Sequence, residues 1–123
     1  MTYKAFARTV CLVAFCASPA AAAPQSSTIQ IKTPFRSSSL SGIVLGTAGR
    51  GVPGVLIEEC QRDWKKCSKF GRTDKHGSFV SAARRTGEHF LRFSSEGFEP
   101  LEITVIVNPY VMQSLEVRLE VAT

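Results

Sequence analysis

Histidine is scarce in this 123-residue chain, which has only His76 and His89. Neither stands in an H-x-x-E or H-E-x-x-H arrangement. A zinc peptidase needs two or three His or Glu ligands at helical spacing plus a general base, so the spacing excludes that chemistry. The two imidazoles read instead as solvated or packed groups, and no metal or other cofactor is expected. Helical patterning is also missing, since no window of eleven residues after Ser39 carries an apolar stripe. The longest early apolar run, Val10 to Ala17, is too short to span a bilayer. Lys and Arg are spread along the chain rather than clustered, so no nucleic-acid partner is expected.

The first residues are of a different kind. "MTYKAFARTVCLVAFCASPAAAAP" has a cationic start at Lys4 and Arg8, an apolar run, and small residues fitting an Ala-x-Ala cleavage site. That is the layout of a secretory signal peptide over residues 1–22, cut after Ala22 or Ala23. A lipid anchor on Cys16 is the alternative, but bulky Phe15 fits poorly before a lipoprotein cut. Losing the leader leaves 13 basic residues against 10 acidic, and the formal net charge falls from +5 to +3. Of four cysteines, Cys60 and Cys67 remain, separated by six residues. In a periplasmic or extracellular compartment such a pair oxidises to one disulfide.

Residues 23–39 are Ser- and Thr-rich with two prolines and read as a linker or arm. Ile29 and Ile31 alternate there, which leaves room for a short edge strand. From Leu40 the texture is uniform, with short β-branched and aromatic runs broken by Gly, Pro and Asp clusters. The runs are "SGIVLG", "GVLIEECQ", "KCSKFGRT", "SFVSAA", "EHFLRFSS", "LEITVIV" and "LEVRLEVA". The last puts Leu115, Val117, Leu119 and Val121 on one face and Glu116, Arg118 and Glu120 on the other. Seven strands over 40–122 predict an all-β, two-sheet sandwich with one core. So small a domain gains much from a covalent staple.

The pleat tests the cysteine pairing. With Val55 and Ile57 pointing inward, Cys60 points outward; with Phe70 inward on the next strand, Cys67 points outward too. Both sulfurs then share the outer face of one hairpin, as a cross-strand disulfide requires. Closing so short a loop stabilises by about 2–3 kcal/mol on the chain-entropy estimate.

The order of signals resembles the carboxypeptidase regulatory-like domain, a transthyretin-like β-sandwich, over about Leu40 to Ala122. Gly42 and Val44 match in the first strand, and Gly51, Pro53, Gly54 and Val55 at the second. Thr73, Asp74, Gly77 and Phe79 match its T-D-x-x-G-x-F turn. Gly87, Phe90, Leu91, Gly97 and Phe98 fall in its later Gly-aromatic run. The cysteine pair and the charged insert between them depart from the pattern. The resemblance implies a seven-stranded Greek-key sandwich that accompanies enzymes and is not itself one.

Enzymes of related architecture fit poorly. Hydroxyisourate hydrolases end in Tyr-Arg-Gly-Ser, whereas this chain ends "VRLEVAT". Intradiol dioxygenases hold iron with two Tyr and two His, and only Tyr110 remains beyond the leader. Asp74, His76 and Ser78 share one tight turn and cannot place a base between its partners. The segment 71–79 therefore reads as a turn device, Asp74 accepting backbone N–H bonds and Gly77 supplying a positive φ.

The segment "CQRDWKKC" offers the candidate contact surface: Arg62, Trp64, Lys65 and Lys66, with Arg84 and Arg85 in another turn. Two readings stay open. Trp64 is either held out as a rigid aromatic among cations, or folded back over the sheet while the charges solvate the tip. The expected role is a non-catalytic exported module meeting an envelope or extracellular protein. A polysaccharide-binding module is the alternative, and a small hydrolase a third.

Overall fold

The computed structural model describes residues 28–81 and 86–122. The expected leader, the start of the Ser-rich segment, and Arg84 and Arg85 lie outside the described residues. Eight strands occur among the described residues: β1 Ile29–Ser37, β2 Ser41–Leu45, β3 Leu56–Cys60, β4 Cys67–Arg72, β5 Ser78–Val80, β6 Gly87–Ser94, β7 Leu101–Val107 and β8 Leu115–Arg118. They form a five-stranded sheet in the order β1-β7-β6-β3-β4 and a three-stranded sheet in the order β5-β2-β8. The architecture is all-β with two sheets. Among the described residues, no helix is long and apolar enough to cross a membrane.

Each expected run contains one strand, and β1 extends the short edge strand for which the Ile29–Ile31 alternation left room. Residues 29–37, read as part of a linker or arm, are a nine-residue edge strand pairing in parallel with β7. A register shift between Ile31 and Phe35, around Pro34, breaks the alternation that would have revealed it. Nor are the serines after it a loose tether. Ser37 is buried, and its hydroxyl lies within hydrogen-bonding distance of the Ser39 and Gln113 carbonyls (2.6 and 3.1 Å). Ser38 N–H also donates to Gln113 O at 2.8 Å. These bonds turn the chain from the larger sheet into the smaller one.

Period-two alternation builds the core. Leu91 and Phe93 on β6, Ile57 on β3, and Leu101, Ile103, Val105 and Val107 on β7 are buried. Val44 on β2, Phe79 on β5, and Leu115 and Val117 on β8 meet them from the smaller sheet, and all belong to one cluster. Phe79 and Phe93 join the layers edge to face, with ring centroids 5.7 Å apart. Leu119 continues the β8 alternation into the core, but Val121 does not, being 52% exposed. The chain has already left β8 there and makes only a single bridge to Phe98.

Candidate functional site

Cys60 and Cys67 are directly opposite in the antiparallel β3–β4 register and are bonded as a disulfide. The register slips between Ile57 and Glu58, where Phe70 is the extra residue on β4. The slip leaves the cysteine parity intact. Cys60 also pairs with Phe90 on β6, whose neighbours Leu91 and Phe93 point into the core. The disulfide and Phe90 therefore share the outer face of the five-stranded sheet.

The intervening loop returns over that face. Gln61 N–H donates to Lys66 O at 2.9 Å, and Trp64 N–H to Gln61 O at 2.8 Å. The Asp63 carboxylate accepts the Lys65 N–H at 3.0 Å. Trp64 has φ +65°, the one positive value at a non-glycine among the described residues. Holding a bulky residue there costs on the order of 1 kcal/mol, so other contacts must fix it. They are visible: the Trp64 indole stands edge-on to Phe90 (5.7 Å, 81°). Arg92 Nη2 donates to the Trp64 carbonyl at 3.0 Å. The structure thus distinguishes the two readings of Trp64. It lies against the sheet, half-buried, and is not held out alone.

Charge organises the rest of this face. Arg92 Nε and Nη2 both approach Glu102 Oε2, at 2.9 and 2.8 Å. Gln30 Nε2 donates to the other oxygen, Oε1, at 2.9 Å. Gln30, Glu102, Arg92 and the Trp64 carbonyl form a continuous polar chain across β1, β7, β6 and the loop. The Glu102 side chain is 9% exposed within it. Arg62 pairs with Glu88 and lies over the Phe90 ring, 5.1 Å from its centroid. Lys65 and Lys66 are exposed.

The second candidate lies at the other end of the sandwich. β4 runs from the disulfide to Arg72, so its six residues separate the 61–66 loop from the 73–77 turn by about 20 Å. Thr73 is buried; its Oγ1 accepts the Val55 N–H at 2.8 Å and donates to Val52 O at 2.7 Å. Asp74 Oδ1 accepts the His76 and Ser78 N–H groups at 2.8 and 2.9 Å. The Ser78 bond, then the His76 bond, hold its carboxyl below the usual aspartate value. Gly77 has φ +85° and packs so closely on Gly51 that a Cβ would come within 2.7 Å of Gly51 Cα, Val44 O and Val52 N. Lys75 and His76 ride the exposed tip.

One pairing was not foreseen. His89 is buried on the inner side of β6, its Nδ1 2.7 Å from Glu59 Oε2. Ser68 stands opposite Glu59 in the β3–β4 register. The strand that carries Glu59 thus stands between those of His89 and Ser68, whereas proton relay from a serine needs the imidazole in the middle. Among the described residues, no group of three His, Cys, Asp or Glu side chains is placed to hold a metal ion. One surface recess, about 420 Å³, lies at the far end between Gly46–Thr47 and residues 118–121. A smaller one of about 260 Å³ runs along the disulfide beside Glu59, Lys66 and Ser68. A scan of protein-family models finds no match to this chain, and a search of curated proteins finds no matching relative.

Proposed function

We propose that this chain is a non-catalytic, exported β-sandwich module of the transthyretin-like, carboxypeptidase regulatory-like kind. It acts through its surface on a partner in the cell envelope or outside the cell. The carrying observation is the cross-strand disulfide at the end of the β3–β4 hairpin. A staple of this kind persists in an oxidising compartment, in keeping with the leader-like start of the sequence. A seven-stranded Greek-key core over 40–122, with β1 added at its edge, is the topology this reading adopts.

The groups capable of chemistry support an interaction role because structure occupies them. Asp74 and Thr73 bind backbone, Arg92 and Glu102 bind each other, and His89 faces Glu59. The test is turnover by the purified mature chain on ester, peptide and glycoside panels, alongside its cell fractionation. The reading expects no turnover and recovery from the envelope or medium. Turnover that co-elutes with the folded protein, or retention in the cytoplasm, refutes it.

Polysaccharide binding is the second reading. The Trp64–Phe90 aromatic pair beside Arg62 favours it.

A further inference from the structure

We infer that the outer face of the five-stranded sheet, with its 61–66 loop, binds an anionic polysaccharide. The observation behind this is a segregation of charge. Among the described residues, eight cations, Arg72 included, and four carboxylates fall on this face and loop, against three cations and six carboxylates elsewhere. The positive excess among the described residues therefore sits on one side of the molecule, +4 there against −3 elsewhere.

The acids on that side are largely taken. Glu102 is held by Arg92 and Gln30, Glu88 by Arg62, and Asp63 by the Lys65 N–H. Lys32 and Arg36 on β1, Lys65 and Lys66 in the loop, and Lys69 on β4 are exposed. Arg36 pairs with Ile106 and Lys69 with Glu58 in the strand register, which places both on the outward parity. The cations thus stand at the two edges of a sheet that is four strand spacings, about 19 Å, across. Between them lie half-buried Phe90, Thr104 and Ile106, with the Trp64 ring upright against Phe90.

An occupant matching this layout is extended, carries repeated negative charge, and offers flat C–H faces to aromatic and methyl groups. Such a face suits an acidic glycan better than a protein or a lipid surface. Protein hot spots need buried apolar anchors, and membrane surfaces need apolar side chains to insert. Among the described residues the exposed large hydrophobics are Val80, Tyr110, Met112 and Val121, none of which belongs to this face. The platform is also preorganised by the disulfide and the Arg92 contacts, which lowers the ordering cost of binding.

The inference rests on the interaction role proposed above, and the experiment separates the two. The full mature chain is passed over immobilised polygalacturonate at low salt, with dextran, poly-glutamate and phosphatidylglycerol vesicles as alternative occupants. Polygalacturonate should retain it in a salt-sensitive way, and the other three should not. Lys65→Ala/Lys66→Ala should weaken retention about fivefold. Arg50→Ala/Lys75→Ala removes the same charge at the far end and should leave retention unchanged. Equal effects of the two variants, no retention, or equal capture by poly-glutamate or vesicles overturns the surface while leaving the interaction role standing. Shortening of the polymer by the protein overturns the role itself. Unchanged melting of both variants certifies that the fold is intact.

Discussion

Replacing Arg92 with leucine removes one residue from two contacts at once. Glu102 is left with Gln30 as its side-chain partner at 9% exposure, and the Trp64 carbonyl loses its guanidinium. Breaking a fully buried ion pair from one side costs about 3–5 kcal/mol. The Arg92 side chain is 28% exposed, so solvent reaches the pair and the figure falls to about 2 kcal/mol. For a domain of this size that corresponds to a Tm about 10 °C lower. Tryptophan emission should move to the red as well, because Trp64 is the sole reporter and its loop is untied. Arg92→Leu/Glu102→Leu should recover most of the lost stability, since no charge is then left buried without its partner. The readouts are thermal unfolding and fluorescence of the three proteins. A single variant within about 2 °C of wild type, or a double variant no better than the single, refutes the reasoning.

Reducing the Cys60–Cys67 bond, or replacing both cysteines with serine, should cost about 2–3 kcal/mol in urea unfolding. Gly77→Ala should cost at least about 2 kcal/mol, because its φ of +85° and its approach to Gly51 both oppose a Cβ. Gly49→Ala, with φ +78° but open space around it, should cost only about 1 kcal/mol, isolating the collision. Asp74 titrates below its ordinary value because its anion accepts the Ser78 and His76 N–H bonds. Its stabilisation is therefore present above the ordinary aspartate range and lost as pH falls through the lowered value. The Tm gap between wild type and Asp74→Ala should hold at neutral pH and close on acidification below about pH 4.

The sequence disclosed those elements whose information is local. β8 alternates cleanly, and Leu115 and Val117 are buried as that alternation requires. Cysteine parity survived the β4 register slip because the slip falls at Phe70 itself, and Lys69, Ser68 and Cys67 then pair without interruption with Glu58, Glu59 and Cys60. What escaped depends on partners distant in the chain. Beyond the Ile29–Ile31 alternation, the length of β1 is defined by a parallel β7 strand some seventy residues away, and Pro34 and the register shift hide the rest of its period. The Gln30–Glu102–Arg92–Trp64 chain crosses three strands and a loop, so no window of sequence contains it. One signal was present: Glu102 is the single charge in "LEITVIV", and a carboxylate there calls for a cation from a neighbouring strand. Trp64 was ambiguous for the same reason, since its place depends on Phe90 and Arg92, both on another strand.

The most direct test of the account is the intact mass of the protein recovered from the cell envelope or the medium, read before and after reduction. The expected result is a chain beginning at Ala23 or Pro24 that gains two hydrogens on reduction. A full-length mass, or free thiols at Cys60 and Cys67 in the exported protein, contradicts it.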